Sequence, residues 1–209
     1  MTKGRVLLIL ILWAIQVLVI GVLLPMDWLD RQVQREQEMT AAWLGQNTTE
    51  IVVNRANDLF TSAFDDTGLI DASFRLVPTR EEREASVGME DLGAPAWPYV
   101  NERLQIMWLT VYQGISRLSM LMLWLPYFLP IILPALIHGW TIREIKKVSY
   151  GYASPVVYHS AAHSLVALIF LPLFYITIPI AVHPAFVLAW GIGFAVTVLA
   201  LASNFQKQL

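Results

Sequence analysis

Four stretches of the chain contain no charged residue and are long enough to cross a lipid bilayer. A membrane-spanning helix needs about 20 mostly apolar residues, and each stretch comes close to that length. Only His183 and Pro184 separate the last two, so the pattern predicts a tight helical hairpin. The sequence therefore predicts an all-α, polytopic membrane protein with four transmembrane helices, at residues 6–24, 118–137, 165–182 and 185–202.

The basic residues near the ends of these stretches predict how the chain crosses the membrane. Lys and Arg close to span ends are kept on the cytoplasmic side, and with an even number of spans all of them fall on one side. This predicts cytoplasmic termini for a chain in a bacterial inner membrane. The residues concerned are Lys3, Arg5, Arg143, Lys146, Lys147 and Lys207.

The segment between the first two stretches has the opposite charge balance. Residues 25–116 contain fifteen Asp or Glu against seven Arg and no Lys, so this segment is predicted to lie in the periplasm. The first stretch has the basic start of a signal peptide. Its apolar run is longer than a signal core, and residues 23–26 offer no A-x-A cleavage site. We therefore interpret it as an uncleaved anchor.

Apolar periodicity predicts two amphipathic helices in the periplasmic segment. Residues 28–64 have a helical pattern that weakens near Gly45 and stops at residues 65–68. Residues 67–98 are predicted to form a loop with one short charged helix, which Thr79 and Glu82 would cap. A second stripe at helical spacing then runs without a break into the second span. It consists of Leu104, Met107, Trp108, Val111, Tyr112 and Ile115.

These patterns divide the chain into five segments. The segments are an N-terminal transmembrane anchor (1–24), an extracytoplasmic helical region (25–116), a second transmembrane helix (117–140), a cytoplasmic loop (141–164) and a transmembrane hairpin with a short tail (165–209). We expect the extracytoplasmic region to form a small helical cap. Its acidic surface either shields the apolar stripes or docks a partner, and the sequence leaves both interpretations open.

Prolines and small residues form two further patterns in the spans. A proline inside a helix removes an N–H group, so repeated prolines predict a kinked bundle or, alternatively, a hinge. They are Pro126, Pro130, Pro134, Pro172 and Pro179. In the last span small residues recur every four positions, which allows close packing within one chain or between subunits of a homo-oligomer. They are Ala185, Ala189, Gly193 and Thr197.

The composition excludes several classes of function. The chain is 56% hydrophobic, and its 14 basic residues are outweighed by 16 acidic ones, which excludes nucleic-acid binding by a basic surface. The absence of Cys excludes disulfides, thiolate catalysis and iron–sulfur sites. The spans contain no charged residue, which argues against a proton-coupled carrier. No phosphate-binding loop or nucleophile motif is present, so we predict no enzymatic activity and no cofactor.

His159 and His163 have the spacing of a metal-binding pair. At i and i+4 both imidazoles would lie on one helical face and could bind zinc, but the sequence offers no third ligand nearby. The preferred interpretation is the start of an interfacial helix. Ser154 would be its N-cap and Pro155 its first helical residue.

The second half of the chain resembles the integrating conjugative element membrane protein family. The resemblance rests on a Tyr-His-x-Ala segment within residues 154–163 and on a Val-His-Pro turn at residues 182–184. It covers the whole chain in layout and residues 117–207 in motif. His163 departs from the pattern, because many relatives have a basic residue there. Structural roles suffice for the motif positions Tyr158, His159, His183 and Pro184.

The resemblance implies an inner-membrane component of conjugative DNA transfer, which is a type IV secretion process. Members of that family are encoded beside a hexameric coupling ATPase on integrative elements and conjugative plasmids. The expected partners are therefore this ATPase, other secretion-channel proteins and membrane lipid. The family has no catalytic residue. The expected partner surfaces are the stripe of Trp108, Val111, Tyr112 and Ile115 and the small-residue stripe around Ala189 and Gly193.

Two other functions remain open at this point. A small transporter or channel subunit would need a polar lumen, which the uncharged spans do not favour. A surface-exclusion or receptor-like protein would sense a partner cell through residues 25–116, and its phenotype would appear in recipient cells.

Overall fold

The computed structural model describes residues 3–75, 77 and 96–205, and this part of the chain contains α-helices and no β-strand. A single π-helical turn, Thr61–Asp65, directly follows the third helix. The predicted all-α class is therefore confirmed for the described residues. Their helices are α1 (Lys3–Leu23), α2 (Met26–Leu44), α3 (Gln46–Phe60), α4 (Leu69–Phe74), α5 (Trp97–Val148), α6 (Pro155–Thr177) and α7 (Ala185–Ser203).

Three of these helices, α5, α6 and α7, are long and apolar enough to cross a membrane. Residues Leu7–Leu23 of α1 and helix α2 (Met26–Leu44) meet the same criterion together, as a pair that bends by 117°. The described residues thus provide three candidate spans, or four if the bent pair is one span. The bend lies at Pro25, which has an extended backbone with a ψ of 144° and lacks the N–H group that would continue α1.

The helices after α1 follow the predicted pattern of residues 28–64. Gly45 alone separates α2 from α3, and its φ of +83° is one that glycine adopts without strain. The predicted break near Gly45 and the predicted stop before Gly68 are both confirmed. Helix α4 lies inside the region predicted as a loop, and the helix predicted at Thr79 and Glu82 lies outside the described residues.

Helix α5 confirms the long helix predicted from the stripe into the second span. It begins at Trp97 and runs through three prolines to Val148. Within the predicted cytoplasmic loop, residues 141–164, only residues 149–154 are non-helical, and α6 begins at Pro155 as predicted. Backbone hydrogen bonding need not stop where the apolar run stops, and residues such as Lys146 and Lys147 are good helix formers.

The predicted tight hairpin at His183 and Pro184 is also wrong. Helix α6 ends at Thr177, and residues 178–184 are non-helical. Pro179 explains the early end, because it has no N–H group and disfavours helical geometry for the residue before it. Pro179 therefore lies in the connection between α6 and α7, and not inside a span as predicted.

The described residues form two compact units. The N-terminal unit comprises the residues up to Ser119 together with Ile176–Val182, and the C-terminal unit comprises Met120–Tyr175 together with the chain from His183 onward. In the N-terminal unit the core contains Leu29, Val52, Ala56 and Ile106, all buried.

The C-terminal unit packs helices closely around a glycine of α7. A Cβ atom added to Gly191 would lie 2.1 Å from Cε1 of Phe128, a distance that real structures do not tolerate. The Phe128 ring is itself buried and stacks on Trp124, with ring centroids 6.3 Å apart. Gly191 is therefore a position where only glycine lets α7 approach α5 so closely.

Candidate functional site

A buried ion pair joins α2 to α5 in the N-terminal unit. Arg117 donates from Nε to Glu36 Oε1 over 2.8 Å and from Nη2 to Glu36 Oε2 over 2.7 Å. The Arg117 side chain is 1% exposed and that of Glu36 is 14% exposed. Two parallel bonds of this kind fix both distance and orientation. The pair therefore holds α2 at a defined position on α5.

The same guanidinium also binds the non-helical connection after α6. Arg117 Nη1 donates to the carbonyl oxygen of Ile178, and Nη2 donates to that of Ile180 over 2.6 Å. Carbonyls at the end of a helix lose their intrahelical partners, and in an apolar setting each one needs a substitute donor. Arg117 supplies such donors while Glu36 balances its charge.

Two glutamines extend this network, which we call the Arg117 lock and define as Gln32, Glu36, Gln113, Arg117 and their bound carbonyls. Gln113 Nε2 donates to Glu36 Oε2 over 3.0 Å, and the Ala181 amide donates to Gln32 Oε1 over 3.2 Å. The carboxylate of Glu36 thus accepts bonds from two residues of α5. The lock joins α2, α5 and the connection, and its polar groups are occupied by one another.

Four aromatic rings pack together, and two of them, Trp108 and Tyr112, precede Gln113 on α5. Phe60 meets Tyr112 and Trp108 edge to face, with centroids 5.6 and 6.2 Å apart, and Phe64 meets Trp108 at 5.4 Å. Trp108 Nε1 donates to Ser73 Oγ over 2.9 Å. This aromatic cluster explains how the predicted stripe on α5 covers the end of α3, the π-helical turn and the end of α4.

Tyr112 has a polar role in the aromatic cluster as well. Its hydroxyl donates to Asn57 Oδ1 over 2.9 Å. Burial raises the pKa of the Tyr112 phenol above its ordinary value of 10.0, so the hydroxyl stays protonated and available as a donor.

The other half of the predicted stripe lines an apolar pocket of about 310 Å³ in the N-terminal unit. Val111 and Ile115 form one side of it, and Trp13 and Val17 of α1 form another. Thr177 also lines the pocket, and its hydroxyl accepts hydrogen bonds from Trp13 Nε1 and Gln16 Nε2, both 3.1 Å long. Partner contact by Trp108, Val111, Tyr112 and Ile115 stays a prediction. Within the N-terminal unit, Trp108 and Tyr112 belong to the aromatic cluster, and Val111 and Ile115 line the pocket.

Several large apolar side chains of α2, α3 and α4 are exposed. The exposed fractions range from 36% for Leu59 to 51% for Leu69. Exposed carboxylates, such as Glu50 and Asp58, stand near them in the sequence. Contiguous exposed apolar groups within a polar surface are typical of protein–protein contact sites, whereas single ones are common on any protein surface. We call this set the cap face, and it consists of Trp43, Ile51, Leu59 and Leu69.

The motif residues of the C-terminal half have local structural contacts. His183 Nδ1 accepts the Ala185 amide over 3.1 Å, and the His183 carbonyl accepts the Phe186 amide over 2.9 Å, so His183 caps the start of α7. Pro184 is buried. Tyr158 packs edge to face on His159 and Phe205, with centroids 5.5 and 5.8 Å apart.

The start of α6 matches the prediction for Ser154 and Pro155. Ser154 Oγ accepts the Val157 amide over 3.3 Å, and Pro155 is the first helical residue. His159 and His163 are both exposed on this helix. The described residues contain no group of three or more His, Asp or Glu side chains that could hold a metal ion.

The small-residue stripe of α7 is not on the face of α7 that packs closely against α5. Ala189 is exposed, and a Cβ on Gly193 would have no heavy atom within 4 Å among the described residues. Thr197 donates to the Gly193 carbonyl over 2.8 Å, while Ala185 is half-buried. The buried face is instead the one that carries Gly191, so the predicted stripe is left open within the C-terminal unit.

The prolines of the spans differ in setting. Pro126, Pro130 and Pro134 are exposed on an α5 that stays helical through all three positions. Pro172 lies inside α6 and is half-buried. A hinge at any of these positions stays a prediction.

The Arg117 lock is the feature that sequence reasoning missed. Glu36 was indistinguishable from the other carboxylates of an amphipathic helix, and its partner lies 81 positions away. One signal was available, since Arg117 directly precedes the charge-free run that starts at Leu118. A charge at the edge of an apolar helix needs a partner, and this requirement could have prompted a search for one.

A comparison with known protein families decides the identity at the family level. The family described as "IncC plasmid conjugative DNA transfer protein DtrJ-like" matches residues 20–206. The chain belongs to the DtrJ-like family. The match covers the lock, the cap face and α5 to α7 together. This DtrJ-like chain is accordingly a conjugative DNA transfer protein, as the resemblance of its second half implied.

The DtrJ-like family is the source of the functional statement, since no curated protein and no solved structure matches the chain. The family match includes residues 25–116, for which the sequence alone offered no motif. The three apolar helices are consistent with a membrane protein.

Proposed function

We propose that this protein is a non-enzymatic inner-membrane component of the type IV secretion system used in conjugation, and that it associates with the coupling ATPase. The observation that carries the proposal is the family match over residues 20–206. The motif at Tyr158 and His159 adds the resemblance to integrating conjugative element membrane proteins, which are encoded beside that ATPase. This resemblance supports the choice of partner.

The proposal places the cap face in the periplasm and both termini in the cytoplasm. The acidic balance of residues 25–116 supports a periplasmic location, and the Lys and Arg residues that flank the spans support cytoplasmic ends. The non-enzymatic role is supported by the sequence, in which no phosphate-binding loop or nucleophile motif is found.

The cap face is the proposed contact surface outside the spans. Ile51 is 44% exposed, and burial of such side chains by a partner is favourable because it removes apolar area from water. Few residues carry most of the binding energy at such surfaces, so a single charge introduced at the cap face should weaken the contact strongly.

Co-purification of the coupling ATPase with the full chain from detergent tests this proposal. Ile51→Glu should lower the retained ATPase by about tenfold, since a buried unpaired carboxylate opposes association. Asn54→Glu is the matched control, because Asn54 is exposed on the same helix and the change introduces the same charge. Equal retention in both variants would remove the cap face from the proposal, and absence of ATPase with the unaltered chain would refute the partnership.

The open stripe on α7 is the proposed contact surface within the membrane. Ala189→Leu combined with Gly193→Leu should reduce co-purification, since bulky side chains prevent close helix approach. Both positions have room within the C-terminal unit, so the fold should survive. An intact contact in this double variant would count against the stripe.

A mating assay separates this role from surface exclusion or reception. A deletion in the donor should abolish transfer, and the same deletion in the recipient should leave transfer unchanged. A phenotype confined to recipients would favour a receptor-like function and contradict the proposal.

A further inference from the structure

The C-terminal unit has a basic pocket of about 270 Å³ that adjoins an apolar pocket of about 330 Å³. The two pockets share Phe205. Arg143, Lys146 and Lys147 line the first, and Leu136, Trp140, Val198 and Leu201 are among the residues that line the second. Cationic and apolar walls therefore meet at the end of two helices that are apolar enough to cross a membrane.

The structure fixes the positions of the two inner cations. Arg143 is buried, donates from Nε to the Phe205 carbonyl over 2.9 Å, and lies 4.7 Å from the centre of the Trp140 ring. Lys146 Nζ donates to the Ser203 carbonyl and to Asn204 Oδ1, both over 3.1 Å. The carbonyl and amide oxygens that accept these bonds are neutral, so these bonds orient the two charges without cancelling them.

Among the described residues, Glu144 is the carboxylate that forms ion pairs with these cations. Glu144 accepts a hydrogen bond from Lys147 over 2.6 Å, which lowers the pKa of Glu144, and its contact with Arg143 is longer at 3.4 Å. Glu144 therefore stays ionised at neutral pH and pairs mainly with Lys147. Arg143 and Lys146 leave the pocket with an excess of positive charge.

The turn after α5 shapes the same pocket. Tyr150 has a φ of +52°, and the Gly151 amide donates back to the Lys146 carbonyl over 2.9 Å. This pattern is a left-handed helix cap, and it brings Gly151 against the Lys146 side chain, where a Cβ would lie 3.2 Å from Lys146 Cγ. The pocket wall next to Lys146 is thus made of backbone.

We propose that this pair of pockets binds an anionic glycerophospholipid, with the head-group phosphate at Arg143 and Lys146 and one acyl chain along Leu136, Val198 and Leu201. Basic pockets between membrane helices favour lipid phosphates, and a polar pocket that continues into an apolar one matches the two ends of a lipid. Trp140 has the amphipathic character typical of the membrane–water boundary. The inference rests on the proposed membrane location, and it does not require the coupling ATPase.

Native mass spectrometry of the full chain in detergent tests this inference without any partner protein. Phosphatidylglycerol should be retained about tenfold better than phosphatidylcholine, since both carry a phosphate but only the first has a net negative charge. Equal retention of the two lipids would overturn the proposal. Displacement of phosphatidylglycerol by millimolar inorganic phosphate would also overturn it, because that result identifies a free-phosphate site.

Variants locate the site on the chain. Arg143→Gln with Lys146→Gln should lower phosphatidylglycerol retention by about tenfold or more. Arg31→Gln with Arg35→Gln is the control, because it removes the same charge from exposed positions of α2 and should leave retention unchanged. Val198→Trp, which keeps both cations and fills the apolar pocket, should also lower retention. Unchanged retention in both pocket variants would refute the site, and the ATPase co-purification would be unaffected by that outcome.

Discussion

In the N-terminal unit a buried pair of charged side chains joins α2 to α5, whereas in the C-terminal unit a glycine backbone of α7 packs directly on an aromatic ring of α5. The Arg117 lock holds α2, α5 and a non-helical connection together through hydrogen bonds. Around Gly191 the helices are regular, and α7 approaches the Phe128 ring without any polar contact between those two residues. The difference follows from backbone geometry: a broken helix leaves carbonyls that need donors, and an unbroken one needs only a good fit.

Among the substitutions that test this difference between the units, loss of the Arg117 side chain should lower stability the most. Arg117→Met leaves Glu36 unpaired and deprives two carbonyls of their donor, so we expect a loss of about 3–5 kcal/mol in the free energy of unfolding. Thermal melting of the full chain in detergent measures it. Glu38→Gln is the control, because Glu38 is exposed on the same helix as Glu36. A comparable loss in the control would show that the N-terminal unit is not held by the lock.

A double substitution separates the contribution of the ion pair from that of the hydrogen bonds to the connection. Buried ion pairs replaced by apolar residues are often neutral in stability. Glu36→Leu with Arg117→Met should nevertheless remain destabilised, because the carbonyls of Ile178 and Ile180 still lack a donor. Full recovery of the melting temperature would assign the whole effect to the ion pair and none to the connection.

The close packing of the C-terminal unit should be the next most sensitive feature. Gly191→Ala places a Cβ against the Phe128 ring, which Trp124 and Trp190 hold in place, and should cost about 1–3 kcal/mol. Gly193→Ala is the matched control, two positions away on the same helix with open space around it. If the two variants melt at the same temperature, the glycine contact does not stabilise this unit.

The hydrogen bond between Trp108 and Ser73 should contribute less. Trp108→Phe keeps most of the aromatic contact and removes the donor, so we expect a loss of about 0.5–1.5 kcal/mol. A double-mutant cycle with Ser73→Ala isolates the bond itself. Additive losses in the cycle would mean that the two side chains are not coupled and that ring packing alone accounts for the aromatic cluster.

The smallest predicted effect is a gain at Tyr150. A left-handed conformation costs a non-glycine residue about 1–2 kcal/mol. Glycine avoids this cost, but it loses more conformational entropy on folding, which offsets about 0.5–1 kcal/mol of the gain. Tyr150→Gly should therefore stabilise the C-terminal unit by about 0.5 kcal/mol, seen as a small rise in melting temperature. The Tyr150 side chain is 98% exposed, so little packing is lost. A lower melting temperature would contradict this account of the turn.

The regular features of this fold were predictable because local sequence determines them. The stripe around Trp108 and the apolar run after it predict α5, and Gly45 and Gly68 mark breaks through their own conformational freedom. Each of these signals lies within a few residues of the feature that it specifies. Helical periodicity and glycine geometry therefore suffice for them.

The features that escaped prediction depend on distant partners or on small local changes within an apolar run. Hydropathy does not change at Thr177, so the end of α6 is visible only through Pro179. Gly191 and Gly193 look alike in sequence, and only the position of Phe128 decides which of them is crowded. The Glu36–Arg117 pair joins residues 81 positions apart, and no periodicity specifies such a pairing.

The Arg117 lock can be completed only late in the synthesis of the protein. Gln32, Glu36, Gln113 and Arg117 all precede the connection at residues 178–181, so the helical side of the lock leaves the ribosome first. Chains are made from the amino terminus, and early segments can fold before later ones exist. The carbonyls of Ile178 and Ile180 therefore emerge when their donor has already been made, and the exposed end of α6 need not wait for any later part of the chain.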